Sequence, residues 1–254
     1  MEAERGSLAV KLFAAFVLFA AAYGGVVLPW RLDRPSSGAP LSLASALSAG
    51  VMLGAGLLHL LPDASASLPQ DFPYANALFA LGLLAPLALE QLAREEEPLS
   101  AAALSDERRG APLLVLCALS FHSALEGLAQ GAAPTLALSA ELLLVLLLHK
   151  GLAAFALGCL FLNAGLSRRR AFALGAGFAA ATPLGICAGL LLHATLEGSA
   201  WVASAVALAA GSFCYVALLE VLPAELSARR APVKALLGML ALGFALMGLL
   251  ALYV

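Results

Sequence analysis

The longest apolar run of the chain reads Leu136-Ala-Leu-Ser-Ala-Glu-Leu-Leu-Leu-Val-Leu-Leu-Leu-His149-Lys150-Gly151 and continues to Leu162. A helix needs about 20 mostly apolar residues to cross a bilayer, so this run predicts a membrane span. Two ionisable side chains, His149 and Lys150, lie near its middle. Ionisable groups at membrane depth are costly and therefore mark candidate functional sites.

The whole chain shares this apolar character. Its 254 residues are 62% hydrophobic and only 12% charged, whereas an average soluble domain carries about 25% charged residues. This composition argues against a soluble enzyme, and the net charge of −2 offers no basic surface for nucleic acid. The cysteines lie in apolar runs without CxxC spacing, so neither a disulfide framework nor a thiolate zinc site is indicated. They are Cys117, Cys159, Cys187 and Cys214.

Eight apolar runs are long enough to span a bilayer, and together they predict one polytopic transmembrane domain over residues 1–254. The runs cover residues 8–28, 41–62, 73–92, 112–131, 136–162, 171–193, 200–222 and 233–254. The predicted fold is an all-α integral membrane protein with eight transmembrane helices, numbered here helix 1 to helix 8. Its predicted partner is the lipid bilayer, and a second copy of the chain in a homodimer is a further candidate.

The basic residues predict the orientation, because cytoplasmic loops are enriched in Lys and Arg. The loops that follow the odd-numbered helices hold eleven of these residues: Arg31, Arg34, Arg94, Arg108, Arg109, Arg168, Arg169, Arg170, Arg229, Arg230 and Lys234. The opposite side holds Arg5 and Lys11. Both termini are therefore predicted to be extracellular. The polar segment 93–111 is predicted to be a short, flexible cytoplasmic loop.

An internal repeat links helices 2 and 7. The end of helix 2 reads Leu57-Leu-His59-Leu-Leu-Pro62, and the end of helix 7 reads Leu218-Leu-Glu220-Val-Leu-Pro223. The shared pattern predicts an inverted repeat of helices 1–3 and 6–8 around helices 4 and 5, which is a common plan of secondary transporters. Coincidence in a Leu-rich chain is the alternative. The repeat would place His59 near the outer face and Glu220 near the inner face.

The strongest candidate site lies between helices 4 and 5. His122 and Glu126 share one face of helix 4 at i, i+4 spacing. His122 is ten residues into its run, about 15 Å deep, and His149 is about 20 Å deep on helix 5. Two imidazoles and a carboxylate suit Zn²⁺, and the position they leave open suits an ion that must be released. The alternative is a buried His–Glu pair that only ties helices together.

Other polar residues extend this candidate site into a pathway. Lys150 is predicted to fill a position that could otherwise hold a second metal ion. His59 and Asp63 share a face at the outer mouth, where they would capture the ion, although polar residues are also normal at a helix end. Glu220 would be an exit relay, and Glu90 an interfacial residue. Pro183 is expected to break helix 6.

A rival hypothesis is an intramembrane zinc hydrolase, since catalytic zinc also has three protein ligands and an open position. Such an enzyme needs a further acid, base or nucleophile near the metal. Only Ser120, Ser123 and Lys150 lie near the proposed ligands in the sequence. A purely structural scaffold would leave the costly midplane groups unexplained. A carrier without a resident cofactor is therefore favoured over an enzyme.

Five stretches of the sequence resemble the ZIP family of divalent-metal transporters. The helix 5 stretch in particular resembles the animal plasma-membrane zinc-uptake subgroup. The stretches are His122-Ser-Ala-Leu-Glu126-Gly127-Leu-Ala, Leu146-Leu-Leu-His149-Lys150-Gly151, Leu58-His-Leu-Leu-Pro62-Asp63, Thr182-Pro-Leu-Gly-Ile186 and Gly211-Ser-Phe-Cys-Tyr215-Val-Ala-Leu-Leu-Glu220-Val-Leu-Pro223-Ala-Glu-Leu226.

The resemblance implies a plasma-membrane, multi-pass protein that moves mainly Zn²⁺ into the cytoplasm. It also implies metal-site roles for His122, Glu126 and His149. Ser123 and Lys150 would stand at the second-metal positions that many members use, which suggests a single ion here. His-plus-carboxylate sites also accept Cd²⁺, Fe²⁺ and Mn²⁺. The loop 93–111 lacks the histidines that many members carry there, so metal buffering by this loop is not expected.

Overall fold

Apolar runs separated by short polar breaks produce a bundle of long helices. The computed structural model describes residues 2–32, 38–95, 103–133, 135–196 and 200–252. These residues form eight helices and no strand. The helices are α1 Glu2–Leu32, α2 Gly38–Ser67, α3 Tyr74–Glu95, α4 Ala103–Ala132, α5 Leu136–Asn163, α6 Arg168–Leu196, α7 Ala200–Ala228 and α8 Val233–Leu250.

Seven of these eight helices are long and apolar enough to cross a membrane, and α4 is the one whose described residues do not meet that standard. The face of α4 that carries His122, Glu126 and Gln130 is buried in the bundle. Its small residues lie directly against α6: Gly127 contacts the Thr182 carbonyl, and a Cβ at this glycine would overlap the carbonyl oxygen. Close approach through small residues is typical of membrane helix pairs. The predicted all-α membrane fold is confirmed.

The repeat found in the sequence has a structural counterpart in two π-helical turns. The turn in α2 covers Ala55–Leu60, and the turn in α7 covers Val216–Val221. A proline follows each turn at the matching position, Pro62 in α2 and Pro223 in α7. Single π-helical turns inside α-helices frequently lie at functional sites.

Helix packing follows the same repeat. The difference in residue number that relates Ala55 to Val216 also relates Gly50 to Gly211. Each of these two glycines touches a backbone carbonyl on a helix of the other repeat. Gly50 on α2 meets the Leu240 carbonyl on α8, and Gly211 on α7 meets the Phe79 carbonyl on α3. The reciprocal contacts join Gly243 to the Leu47 carbonyl and Gly82 to the Leu208 carbonyl. The pairs α2–α8 and α3–α7 are therefore pseudo-symmetric.

Helices α4 and α5 occupy the centre of this arrangement, α4 packed on α6 and α5 packed on α1. On α1, Gly25 lies against the Gly151 carbonyl of α5. The end of the bundle where α2 ends and α7 begins is called the pocket end below. The opposite end, where α1, α5 and α7 end, is called the far end.

Several boundaries differ from those expected. α3 continues to Glu95 and α4 begins at Ala103, so helix extends into the segment 93–111, of which residues 96–102 lie outside the described ranges. α7 runs to Ala228 rather than 222. The expectation that Pro183 breaks helix 6 is wrong, because α6 is one continuous helix. A proline removes only one backbone N–H, and packing against neighbouring helices makes that tolerable in a membrane helix.

Candidate metal site

Three buried side chains from α4 and α5 converge on one point. The Nε2 atom of His122 lies 2.7 Å from Oε1 of Glu126, and the Nε2 atom of His149 lies 2.5 Å from the same oxygen. The residues are 2% (His122), 7% (Glu126) and 1% (His149) exposed. One ligand atom from each lies within 4.8 Å of the other two. The sequence-predicted ligands are therefore brought together.

Local structure explains why these side chains meet. His122 and Glu126 are one turn apart on α4. Thr135 caps α5, where its Oγ1 accepts a hydrogen bond from the Leu138 N–H at 3.2 Å. The short connection turns α5 back along α4, and this places His149 opposite Glu126.

Gln130 and Lys11 connect the pocket end of α4 to neighbouring parts of the bundle by hydrogen bonds. Sequence reasoning missed both residues. Gln130 Nε2 donates to the carbonyl oxygen and to Oγ of Ser139 on α5, at 2.9 and 3.1 Å. Lys11 on α1 donates to the carbonyls of Gly131 and Ala133, at 2.8 and 2.9 Å. A cation is favourable at a helix C-terminus, where carbonyls lack helical partners. Gln130 could have been noticed as the next polar residue on the face of His122 and Glu126.

The cluster has the composition of a zinc site. Zn²⁺ binds His nitrogen and carboxylate oxygen at about 2.0–2.2 Å, so two ligand atoms of a tetrahedral ion lie about 3.4 Å apart. The side chains of His122, Glu126 and His149 thus need to separate by less than about 1 Å to admit the ion. Within the described part of the chain, Nδ1 of each histidine is buried without a hydrogen-bond partner. Each ring therefore has one nitrogen whose hydrogen-bonding or metal-binding capacity no described protein group uses.

Lys150 occupies the space beside this cluster. Its Nζ donates to Ser123 Oγ at 2.9 Å and to Glu126 Oε2 at 3.0 Å, and it lies 5.6 Å from the centroid of the Phe178 ring. The ammonium group thus engages the second oxygen of the carboxylate that faces the histidines. A metal ion at that second oxygen would be repelled by the ammonium group.

An aromatic residue on α7 forms one wall of the cluster. The ring centroid of Phe213 lies 3.9 Å from that of His122 and 6.1 Å from that of His149. Phe213 is buried and lies shortly before the π-helical turn of α7. Sequence reasoning missed it, because a phenylalanine in an apolar helix carries no signal that separates a site wall from general packing.

A cavity of about 260 Å³ connects the cluster with the pocket end. His122 and Glu126 line its inner part, while Asp63, Ser67 and Val202 line it near the end of α2 and the start of α7. His59 also lines the cavity, and its Nδ1 lies 3.4 Å from Asp63 Oδ2. The Asp63 side chain is 60% exposed. His59 and Asp63 therefore lie between the surface and the cluster, and their role in capturing the ion stays a prediction.

Glu220 does not join the metal cluster and instead meets a tyrosine. Tyr215 Oη lies 2.6 Å from Glu220 Oε1 and 2.7 Å from Glu90 Oε2. A phenol has one proton, so it donates to one carboxylate at a time. The packing of α3 on α7 brings Glu90 to Tyr215, and the expectation that Glu90 is an interfacial residue stays a prediction. The role of Glu220 as an exit relay stays a prediction.

Comparison with known proteins agrees with this architecture. Residues 8–97 and 95–251 match the family described as ZIP Zinc transporter. The chain is 32% identical to Zinc transporter ZIP2 of Homo sapiens over 97% of this chain and 98% of that protein. It is 32% identical to Zinc transporter ZIP2 of Mus musculus over 84% and 85%, and 31% identical to Zinc transporter ZIP1 of Homo sapiens over 82% and 76%. The chain belongs to the ZIP zinc transporter family.

Proposed function

We propose that this chain carries Zn²⁺ into the cytoplasm through the cluster of His122, Glu126 and His149. The observation that carries the proposal is the convergence of two imidazoles on one buried carboxylate oxygen at the end of a cavity. Family membership supports transport and gives no support to the hydrolase alternative. The ion is a substrate that must bind and leave, so three protein ligands with one open position fit the task better than a closed cage.

The proposed direction of transport depends on which end of the bundle faces the cytoplasm, and the basic residues indicate that end. Arg31, Arg168 and Arg230 lie at the far end, at the end of α1, the start of α6 and the loop before α8. Cytoplasmic ends of membrane helices are enriched in such residues. The far end is therefore assigned to the cytoplasm, and the pocket end with both termini to the extracellular side. Residence in the plasma membrane is part of the same proposal, and the homodimer stays a prediction.

We assign one ion to the cluster and Zn²⁺ as its main substrate. Lys150 takes the space beside Glu126 that a second ion would need. Cd²⁺, Fe²⁺ and Mn²⁺ are further candidate substrates, because divalent affinities follow the Irving–Williams order more than biological need. Fe²⁺ should therefore compete with Zn²⁺ more strongly than Mn²⁺ does.

His59 and Asp63 are proposed to capture the ion before it reaches the cluster. The His59→Ala variant is expected to raise the zinc concentration for half-maximal uptake several-fold, because it removes an imidazole from the cavity while the cluster stays intact. The maximal rate should fall less than the apparent affinity. Initial rates of radioactive zinc uptake, measured over a range of zinc concentrations in intact cells, test this together with the proposed function.

Asp71→Asn is the matched control, since Asp71 is an exposed carboxylate in the turn after α2 and does not line the cavity. It should leave both kinetic parameters at wild-type values. Saturable uptake by the wild-type chain, above that of cells lacking it, is required by the proposed function. An unchanged half-maximal concentration in His59→Ala would remove His59 from the pathway.

A further inference from the structure

A second, apolar crevice lies away from the metal cluster, where α1, α5 and α2 meet. Its volume is about 440 Å³. It is lined by four residues of α1 between Ala21 and Leu32, by three residues of α5 between Gly151 and Phe155, and by Ala44 of α2. None of these residues has a polar side chain, and none lines the cavity that leads to the cluster. The crevice is therefore suited to an apolar ligand and not to an ion.

The crevice opens toward the hydrocarbon of the bilayer. Leu28 and Leu32 are 42% and 44% exposed, and both lie on a helix that is long and apolar enough to cross a membrane. Gly151 leaves open space, since a Cβ at this position would lie 4.0 Å from the Ala21 carbonyl oxygen. An empty gap would deprive its walls of dispersion contacts. Hydrocarbon chains therefore fill the crevice when the protein lies in a membrane.

The length of the crevice matches one leaflet of the bilayer. At about 1.5 Å per residue, the stretch of α1 from Ala21 to Leu32 is about 17 Å long. The hydrocarbon core of a bilayer is about 30 Å thick, so one leaflet contributes about 15 Å. The stretch begins in the middle of α1 and ends with that helix at the far end. An acyl chain of a lipid in the far-end leaflet therefore has the length to occupy it.

Two arginines lie at the far end of the three helices that form the crevice. Arg31 is exposed in the last turn of α1, next to Leu32. Arg230 donates to Asn163 Oδ1 at the end of α5 at 3.3 Å, and its Cδ would lie 3.5 Å from a Cβ at Gly38, where α2 begins. Among the residues that the structure describes, no carboxylate is paired with either arginine. Both guanidinium groups are thus positive charges available to an anion.

We propose that the crevice binds one anionic phospholipid, with an acyl chain along α1 and its head group at Arg31 and Arg230. Guanidinium groups bind phosphate through paired hydrogen bonds, and basic pockets between transmembrane helices bind anionic head groups. A zwitterionic lipid fills the crevice equally well, but its own cation opposes the two arginines. The assignment to the cytoplasmic leaflet, where anionic lipids are concentrated, rests on the orientation given with the proposed function.

Native mass spectrometry of the purified chain in detergent tests the head-group site. The protein is titrated with dioleoyl phosphatidylserine or with dioleoyl phosphatidylcholine, and the apparent Kd of the first bound lipid is measured. Phosphatidylserine is expected to bind more tightly to the wild type. Arg31→Gln and Arg230→Gln should each weaken its binding about fivefold, which is the typical effect of one basic residue at an anionic membrane surface. Binding of phosphatidylcholine should not change.

Lys234→Gln is the matched control for these variants. Lys234 is also an exposed cation at the far end, but its helix, α8, contributes no residue to the crevice. Its affinity for phosphatidylserine should equal that of the wild type. The variant that lacks both arginines should lose about 25-fold, the product of the two single effects, and should then bind the two lipids alike.

The acyl-chain site is tested by filling the crevice. Ala44→Trp places an indole in it and should weaken both lipids about tenfold, the value of about two buried methylene groups. Gly238→Trp is the control, because Gly238 lies at a similar distance from the far end on α8, has open space around it and does not line the crevice. Lipid binding by this control should match the wild type. The arginine variants carry the test if Ala44→Trp does not fold.

The outcomes separate this site from the proposed function. Equal wild-type affinities for the two lipids, or equal phosphatidylserine affinities of Arg31→Gln, Arg230→Gln and Lys234→Gln, would indicate a nonspecific lipid coat and overturn the proposal. A dimer that Ala44→Trp dissociates and Gly238→Trp does not would place a second copy of the chain in the crevice instead. Lipid binding is measured without transport. Absence of zinc uptake by cells that express the wild-type chain would therefore overturn the proposed function alone.

Discussion

Zinc uptake by cells that express Glu126→Gln is expected to fall by more than about 100-fold, since even an outer hydrogen-bond partner of a metal ligand is worth about 10–100-fold. One oxygen of Glu126 faces His122 and His149, and the other accepts from Lys150. A neutral amide is a poor metal ligand and leaves the buried ammonium without its counter-charge. Removing one partner of a buried ion pair costs about 3–5 kcal/mol.

Two controls make this result specific. Glu126→Asp keeps the charge with a shorter side chain and should retain partial uptake. Asp71→Asn removes a carboxylate exposed in the turn after α2 and should behave as wild type. Surface biotinylation corrects each rate for the amount of protein in the membrane. Wild-type uptake by Glu126→Gln at equal surface amount would exclude Glu126 from the transport site.

Purified Lys150→Glu is expected to bind one more zinc ion than the wild-type chain. The Lys150 ammonium group lies 2.9 Å from Ser123 Oγ and 3.0 Å from Glu126 Oε2. A carboxylate in its place would join these two oxygens as a third oxygen ligand, and the repulsion of a second cation would become attraction. Bound zinc per chain, measured by elemental analysis after equilibrium dialysis, gives the difference directly.

Lys150→Met is the control for this experiment, because it removes the charge without adding a ligand and keeps a long side chain. Its zinc content should equal that of the wild type or fall below it. Equal zinc contents of the wild-type and Lys150→Glu proteins would show that Lys150 does not block a second site. A wild-type chain that already holds two ions at the cluster would contradict the single-ion proposal.

The spans and the convergence of His122, Glu126 and His149 could be predicted because membrane burial makes the relevant signals strong. A polar residue in a helix such as α5 is so costly that His149 stands out without any structure. Helical spacing then relates His122 to Glu126 on α4, and the short connection before α5 brings the third group near. The repeat was also visible, because the motifs around Pro62 and Pro223 survive in otherwise divergent helices.

The residues that sequence reasoning missed depend on contacts between distant helices. Tyr215 meets Glu90 only because α7 packs on α3. Lys11 reaches the end of α4 from α1, although its sequence position suggests an ordinary residue at the start of a span. Glu225 lies close to a polar loop, where a carboxylate normally faces water, and only the packing of α2 on α7 buries it. The register between helices, which apolar periodicity does not contain, decides each of these contacts.

The π-helical turns show the same limit in the backbone. The prolines that follow Ala55–Leu60 and Val216–Val221 mark a local irregularity, but a proline also predicted a break at Pro183, where α6 is continuous. Proline alone therefore does not distinguish a π-helical turn, a break and an undisturbed helix. Packing of each helix against its neighbours decides the outcome, and the repeat makes it the same in α2 and α7.

The claim that His122, Glu126 and His149 hold the transported ion is tested most directly by zinc K-edge X-ray absorption of the purified chain loaded with one equivalent of zinc. The predicted spectrum contains two imidazole nitrogens at about 2.0–2.1 Å together with oxygen ligands at about 2.0–2.2 Å, and no sulfur ligand. In His149→Ala the number of bound imidazoles should fall by one. A thiolate ligand at about 2.3 Å, or a spectrum that His149→Ala leaves unchanged, would contradict the account.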